Sequence, residues 1–437
     1  MLQLDIKWDR RQWFRLVMAL TATLVVLTAV LPSWTGVVGF LFLYLILKRQ
    51  LGTVEALVGV FLVVTALASS RLGYHGYVKQ LRLPLLIVMA YHGLKRFNTW
   101  PIELRRSHAR WALLVLVGVA VPTFINQGLA VRDPAIVLVP GAWFIFGTLA
   151  FHATEAELRR RWDLFAILLP AAFLSFFIFG VLRGGDAMLG ARFRGWMGNP
   201  NEMSHWWLAM FAVLMTGIGG ARNRKWFAGI ILMTVLLYVQ SGSRSPLGLS
   251  AVVAFGGLLL SNDLSRGMRY LIGVAIVAVA IALPFLNTET LAGVLPESVL
   301  RTETLDEGGG RFVAWQFGWE ELMRRPWWGG GAGYEERYYT SYKEVLSLLG
   351  HQGLSHNSYL AFGLNYGIPM ALALLLGLIR RLGLLDRRMF FIALLPFVLA
   401  TFVEGVLTSP LNAVTPAWFF AAAWMGQILQ HRPDHAN

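Results

Sequence analysis

A histidine follows the longest polar stretch of this chain, and the stretch itself is rich in arginine. It runs from Asn287 to Ser355 and ends beside His356, where an apolar segment opens. Histidine accepts or donates a proton near neutral pH, and the guanidinium group of arginine pairs well with phosphate. The combination indicates a place where an anion is held and a proton is moved, although a polar helix cap is the structural alternative for His356. The arginines of the stretch are Arg301, Arg311, Arg324, Arg325 and Arg337.

A second motif places two arginines before a turn and a helix. Its sequence from Arg192 to Glu202 is RFRGWMGNPNE. Asn201 is the expected N-cap, and the proline biases the residue before it away from helix. A helix N-terminus near Arg192 and Arg194 suits a phosphate. The alternative is an ordinary cap with both arginines at the level of the lipid headgroups.

Two further arginines stand at predicted helix starts. Arg244 is an isolated charge in SGSRSP between two apolar segments. Such an ion at a membrane boundary is costly unless it snorkels or meets a partner, so a functional role is favoured. Arg311 opens an amphipathic stretch to Met323, in which Trp315 and Trp319 share one helical face. This predicts an interfacial helix with its aromatic face on the bilayer and leaves Arg311 available for an anion.

The glycine-rich segment 326–334, PWWGGGAGY, does not predict a nucleotide site. It lacks the Lys-Ser/Thr of a P-loop and follows no predicted strand. A turn packed close to another backbone is the preferred interpretation. A metal site is also not supported, because His351 lies five residues before His356 and no His-Glu-x-x-His motif appears.

Composition predicts the elements that must position these residues. Of 437 residues, 56% are hydrophobic and 14% charged, against about 25% charged in soluble domains. Apolar runs recur at the length of bilayer-spanning helices, so the chain is predicted to be an all-α polytopic membrane protein. Fourteen segments are predicted, and twelve crossings are the alternative. They are 14–31, 34–47, 51–70, 81–94, 111–128, 134–152, 163–182, 203–218, 226–240, 246–260, 270–286, 357–379, 389–406 and 411–430.

The distribution of cations predicts the orientation of these segments. The net charge is +14, but the basic residues recur at helix ends rather than in one patch. This follows the positive-inside rule and argues against nucleic-acid binding. It predicts cytoplasmic termini and a periplasmic polar stretch. The long first apolar run, with no A-x-A-like site after it, predicts an uncleaved first helix. The expected regions are a membrane bundle at 1–286, a periplasmic loop with short helices at 287–355 and a second bundle part at 356–437.

Taken in order, these motifs resemble those of the O-antigen ligase and O-antigen polymerase superfamily of bacterial inner-membrane glycosyltransferases. The resemblance covers about the second half of the chain. Each motif is weak alone, and the ordered set is more specific. The matching features are the Gly-Asn-Pro-Asn turn at 198–201, Ser243-Arg244, Gly310-Arg311, the Gly-x-Gly turn near 329–333 and His356-Asn357-Ser358.

The resemblance implies a fold, a substrate pair and a reaction. The fold would be a GT-C-type bundle of 12–14 transmembrane helices with one large periplasmic loop. The donor would be a glycan on undecaprenyl pyrophosphate, and the acceptor a sugar hydroxyl of lipid A-core. Transfer would invert the anomeric centre without a metal ion or other cofactor. Membrane lipids would be partners, and nucleic acid would not.

The same resemblance assigns expected roles to individual residues. His356 would be the general base, and arginines would hold the pyrophosphate. Nearby arginines are expected to lower the pKa of His356 and so to keep it neutral. The pyrophosphate-binding residues would be Arg244 and Arg311, assisted by Arg192 or Arg194, and the supporting residues Asn201, Glu202 and Asn357.

Several alternatives remain open at the level of the sequence. His356 could instead orient the acceptor or contact phosphate, which would make Glu202 the nearest carboxylate candidate. The chain could be the polymerase, or a protein O-oligosaccharyltransferase, although only about seven residues follow the last apolar segment. A lipid-linked glycan transporter would need ionisable residues within helices; these are scarce, with Glu404 near an outer helix end as one exception.

Overall fold

The fold is almost entirely helical, as the apolar segments predict. The computed structural model describes residues 9–30, 36–70, 72, 76–127, 135–217, 224–259, 265, 267, 271, 274, 311–349, 353–381, 390–405, 407 and 411–430. The first helices are α1 (Arg10–Val25), α2 (Gly36–Leu51), α3 (Thr53–Ala68), α4 (Val78–Asn98), α5 (Ile102–Gln127), α6 (Ala135–Ala150) and α7 (Glu155–Arg183). A hairpin of β1 (Met188–Leu189) and β2 (Arg192–Phe193) follows α7.

The remaining helices fall into three groups. The first group is α8 (Pro200–Met215), α9 (Arg224–Ser241) and α10 (Arg244–Leu259). The polar stretch contributes α11 (Arg311–Arg324), α12 (Tyr334–Ser341) and α13 (Lys343–Leu348). The last group is α14 (Ser358–Tyr366), α15 (Ile368–Arg381), α16 (Leu395–Val403) and α17 (Val414–Gln430), with a π-helical turn, Phe390–Leu394, before α16.

Among the residues that the structure describes, three helical stretches are long and apolar enough to cross a membrane: Arg11–Ala29, Ile102–Gln127 and Glu155–Ala187. Several shorter helices are also apolar, among them Thr53–Ala68 and Ile392–Phe402. The chain is therefore an all-α polytopic membrane protein. The predicted segment 270–286 falls almost wholly outside the described residues, as do Arg301 and the start of the polar stretch.

The bundle core lies where α7, α8 and α17 pack together. Nearly every residue of α8 is buried, because α7, α10 and α17 surround it. Thr154 begins α7 with a capping box, in which its side chain accepts from the backbone N–H of Glu157 while the Glu157 side chain accepts from that of Thr154. Large aromatic side chains fill the core, and the tryptophans with almost no exposed surface include Trp206, Trp207, Trp418 and Trp424.

The predicted helix 357–379 is broken at Gly367, which corrects the expectation of one continuous span. Gly367 has a φ of 80°, a left-handed conformation that favours glycine. A Cβ atom on Gly367 would lie 2.2 Å from the carbonyl oxygen of Trp327. The break therefore lets the glycine-rich turn approach the backbone between α14 and α15.

That approach confirms the interpretation of segment 326–334 as a turn packed against another backbone. Gly330 and Gly331 donate from their backbone N–H groups to the carbonyls of Leu364 and Asn365, each at 2.8 Å. The N–H of Ile368 donates to the carbonyl of Pro326 at 2.7 Å. These bonds fasten the polar stretch to α14.

A second, smaller hydrophobic cluster lies beneath the helices of the polar stretch. It joins α11, α12 and α13 to α14, and its buried members are Ala314, Leu322, Tyr339, Leu346, Leu360 and Leu364. Trp315 packs against Phe402 with ring centroids 4.9 Å apart and donates to the carbonyl of Ser355 at 2.8 Å. Trp319 is 56% exposed, so of the two tryptophans predicted to face the bilayer together, Trp315 packs inward instead.

Candidate functional site

The carboxylate of Glu404 joins three segments that the sequence singles out. Arg311 Nη2 donates to Glu404 Oε1 at 2.6 Å. The side-chain amide of Asn201 donates to the same oxygen at 3.2 Å. His356 Nδ1 lies 3.3 Å from the other oxygen, Oε2. One side chain thus brings together the helix start at Arg311, the first turn of α8 and the histidine before α14.

Glu404 reaches this position because α16 ends one residue earlier. Its backbone is extended, and its N–H still donates to the carbonyl of Ala400. The hydroxyl of Ser358 donates to the carbonyl of Glu404 at 3.0 Å and accepts from the N–H of Leu407 at 3.1 Å. The first residue of α14 therefore anchors the chain that leaves α16.

His356 lies just before α14 and outside it. Asn357 is the N-cap of α14, and its side chain accepts from the N–H groups of Tyr359 and Leu360, each at 3.0 Å. On the other side, Ser355 donates from its hydroxyl to Glu335 at 2.5 Å. Both neighbours of His356 are therefore fixed, which holds the histidine at a φ of 50°, a conformation that few non-glycine residues adopt.

The hydrogen bond to Glu404 determines how the imidazole of His356 is used. A carboxylate only accepts hydrogen bonds, so Nδ1 carries the hydrogen and Nε2 is the basic nitrogen. Nε2 faces Gly353, where a Cβ atom would lie 3.2 Å away. A side chain at position 353 would therefore crowd the nitrogen that can take a proton.

The pKa of His356 is raised, so the expectation of a lowered pKa is wrong. Burial lowers the pKa of His356, but the hydrogen bond to Glu404 and the negative charge of that carboxylate outweigh burial. Arg311 contributes in the expected direction and Glu335 in the opposite one. The carboxylate has the larger effect on the pKa because it contacts the imidazole ring directly. The sequence did not predict that Glu404 lies beside His356.

Arg192 belongs to the same network through Asn201. Its Nη2 donates to Asn201 Oδ1 at 2.6 Å and to the Ser243 hydroxyl at 3.2 Å. Its Nε donates to the carbonyl of Ser241 at 2.7 Å. Arg244 follows Ser243 directly and is the first residue of α10, half-buried at this edge of the network.

The N-terminal ends of four helices meet at this network. Asn201 lies in the first turn of α8, Arg244 and Arg311 open α10 and α11, and Asn357 caps α14. Helix N-termini carry a partial positive charge and unsatisfied N–H groups, and they favour anions. The arginines and the helix ends therefore act in the same direction.

Arg194 and Glu202 have different surroundings from those of Arg192. Arg194 is only 8% exposed and donates to the carbonyls of Asp186 and Gly198 at 3.2 and 3.3 Å. It supports the turn before α8 from within the protein. Glu202 is half-buried in the first turn of α8, and the carboxylate in contact with His356 is that of Glu404.

The N-cap of α8 is Asn199, which corrects the assignment to Asn201. The side chain of Asn199 accepts from the N–H of Asn201 at 2.8 Å, and Pro200 is the first helical residue. Proline favours that first position because its missing N–H is not needed there. This releases the side chain of Asn201 to bridge Arg192 and Glu404.

Two important residues carried little signal in the sequence. Glu404 appeared only as an ionisable residue near a helix end, and Glu335 did not appear at all. Burial raises the pKa of Glu335, and the hydrogen bonds from Ser355 lower it by a smaller amount. Within the described part of the chain, no three His, Cys, Asp or Glu side chains are grouped as metal ligands.

Comparison with known proteins shows that part of the chain matches a known protein family. No curated protein matches the chain. Residues 228–375 match a family model described as O-antigen ligase. The matched range contains Arg244, Arg311 and His356, whereas Asn201 and Glu404 lie outside it. The match supports glycan transfer of the O-antigen ligase or polymerase type in lipopolysaccharide biosynthesis, and hence an enzymatic role on lipid-linked glycans. It also supports membership of this chain in the O-antigen ligase superfamily.

Proposed function

We propose that this protein transfers an O-antigen glycan from undecaprenyl pyrophosphate to a sugar hydroxyl of lipid A-core. The observation that carries the proposal is the arrangement of a histidine and arginines where four helix N-termini meet. His356 and Arg311 contact the same carboxylate, so a proton acceptor and a phosphate-binding group lie within one site.

The donor side of the reaction needs positive charge. A lipid pyrophosphate leaves with two to three negative charges, and guanidinium groups bind phosphate through charge-assisted hydrogen bonds. Arg311, Arg244 and Arg192 supply these groups, and Arg194 supports the turn that positions them. A guanidinium has five N–H donors, so the hydrogen bond from Arg311 to Glu404 leaves other donors for phosphate.

The acceptor side needs a base. The acceptor hydroxyl gives its proton to Nε2 of His356, and its oxygen forms a bond to the anomeric carbon. The bond between that carbon and the phosphate oxygen breaks, and its electron pair leaves with undecaprenyl pyrophosphate. Attack from the face opposite the leaving group inverts the anomeric centre. General-base assistance of this kind contributes about 10²–10⁴ in rate.

We place the reaction at the periplasmic face of the bacterial inner membrane, with both termini in the cytoplasm. A separate set of charges supports this orientation. Arg96 and Glu157 form an ion pair near the start of α7, and Arg160 and Arg161 lie close to Glu55 there. The site lies beyond the other end of α7, beside the hairpin that follows it. The basic end of α7 is then cytoplasmic, in keeping with the positive-inside rule.

Deletion of the gene tests this function on lipopolysaccharide. We expect unligated glycan to accumulate on undecaprenyl pyrophosphate, while a gel shows lipid A-core that carries no glycan. A single repeat unit attached to the core would overturn the ligase and identify the polymerase, which uses the same chemistry with a growing glycan as acceptor. If protein glycosylation is lost while lipopolysaccharide stays intact, the protein is a protein O-oligosaccharyltransferase.

A further inference from the structure

We propose that Glu404 is a positioning residue of this reaction, which orients the imidazole of His356 and competes with the donor phosphate for Arg311. The inference rests on the proposed function. It adds a residue that lies outside the region matched by the family model and that no sequence motif identifies.

The two oxygens of Glu404 have separate tasks in the structure. Oε2 faces Nδ1 of His356 at 3.3 Å, which holds the ring with Nε2 as the basic nitrogen. Oε1 accepts from Arg311 at 2.6 Å and from Asn201 at 3.2 Å. A second group that orients the base is a recurring feature of sites in which a histidine takes a proton.

The backbone around Glu404 keeps this geometry in place. Ser358, the first residue of α14, donates to the Glu404 carbonyl at 3.0 Å, and Asn357 caps the same helix. His356 and Glu404 are thus connected twice, through their side chains and through the start of α14. The side chain of Glu404 is only 15% exposed, which limits the screening of its charge by water.

Other charged or titratable groups also surround His356 and Glu404. The histidine His205 on α8 interacts electrostatically with Glu404 and Arg311, and Glu335 on α12 acts on His356. Arg192 reaches Glu404 through Asn201, while Arg244 opens α10 at the edge of the network. Glu202 lies in the first turn of α8. Glu404 contacts the His356 ring through a hydrogen bond.

The contacts of Glu404 with both His356 and Arg311 lead to a prediction that a purely structural role of Glu404 would not. Glu404 neutralises Arg311 before the donor is bound, so it competes with phosphate for that guanidinium. Removing the negative charge weakens the base and frees Arg311 for phosphate. Transfer and anion binding therefore change in opposite directions.

The test compares the full-length Glu404→Gln variant with the wild type in lipid nanodiscs. We expect kcat for glycan transfer to fall by about 10²-fold. The acidic limb of its pH profile should move to lower pH, because the carboxylate no longer raises the pKa of His356. Inorganic pyrophosphate, used as the probe, should bind more tightly by about tenfold.

Glu321→Gln is the matched control. Glu321 is also a buried carboxylate near arginines, Arg324 and Arg325, but it is on the far part of α11. This variant should keep the wild-type kcat, pH midpoint and pyrophosphate affinity.

The outcomes separate this inference from the proposed function. Wild-type kcat and pH midpoint in Glu404→Gln would overturn the inference, as would slow transfer with an unmoved midpoint and unchanged pyrophosphate affinity. Absence of glycan transfer by the wild type would instead overturn the function, while the pyrophosphate measurement still tests the competition for Arg311. If Glu404→Gln does not fold, Glu404→Asp carries the test. It should keep the wild-type midpoint with a kcat about tenfold lower, and an unchanged kcat would count against positioning.

Discussion

Arg192 donates to Oδ1 of Asn201 at 2.6 Å, and the amide nitrogen of the same asparagine donates to Glu404. The side-chain amide of Asn201 therefore contacts two groups: its oxygen accepts from an arginine that we propose binds phosphate, and its nitrogen donates to the carboxylate that contacts His356. The two halves of the proposed reaction are connected through this single side chain. Donor binding and proton transfer are thus expected to respond together to changes at Asn201.

Replacement of His356 by alanine should abolish transfer without abolishing donor binding. The variant lacks Nε2, so the rate of glycan transfer should fall by about 10²–10⁴-fold, whereas the arginines remain. Transfer is measured with donor and acceptor lipids, and binding with the donor alone. His92→Ala on α4 is the control and should transfer normally. Near-normal transfer by His356→Ala would refute the general-base role.

The pH dependence of transfer should reflect the raised pKa of His356. The histidine must be neutral to accept a proton, so kcat/KM should rise with pH through the folded-state pKa. Because the Glu404 carboxylate raises that pKa, the midpoint should lie above about 6.5, the ordinary value for histidine. The raised pKa also means that His356 stabilises the fold at acidic pH and that this stabilisation is lost as pH rises through the midpoint. A midpoint below the ordinary value would contradict the assignment.

Arg311 and Arg324 offer a matched pair of substitutions at opposite ends of α11. Arg311→Ala should weaken donor binding by about 10–100-fold, since a charged hydrogen bond contributes about 1.5–3 kcal/mol. Arg324 has a side chain that is 71% exposed and reaches Glu321 at 3.4 Å. Arg324→Ala should leave both donor affinity and transfer within a factor of about two. Equal losses in the two variants would point to a general effect of charge rather than a site at Arg311.

Gly367 should not tolerate a side chain. In Gly367→Ala, the new Cβ atom would meet the Trp327 carbonyl, and the positive φ would be strained as well. We expect a loss of about 1–3 kcal/mol in the free energy of unfolding from the backbone strain alone, with a lower melting temperature in detergent. Gly229→Ala in α9 is the control, because a Cβ there has no neighbour within 4 Å. An unchanged melting temperature for Gly367→Ala would argue against the close contact.

The helices could be predicted from the sequence because long apolar runs have few other structures in a membrane. The predicted segments 51–70, 134–152 and 163–182 lie close to α3, α6 and α7. Arg311 and His356 could be selected because their side-chain chemistry is distinctive. The N-cap of α8 was misplaced by two residues, although the preference of proline for the first helical position favours Asn199.

The role of Glu404 could not be predicted, because its contacts depend on the tertiary fold. Its partners lie 48, 93 and 203 positions away along the chain, and it follows the end of a helix with no motif around it. The break at Gly367 was missed for a related reason. Hydropathy is continuous across it, and only the approach of the glycine-rich turn requires the interruption.

The backbone bonds between the glycine-rich turn and α14 have a mechanical consequence. Hydrogen bonds from Gly330 and Gly331 tie that turn to α14, whose N-cap follows His356. The turn itself follows the end of α11. Arg311 and His356 therefore belong to one unit, formed by α11, the glycine-rich turn and α14. Arg192 and Asn201 belong to another, formed by the hairpin and α8. If these two units move apart, the hydrogen bond between Asn201 and Glu404 is a contact that must break.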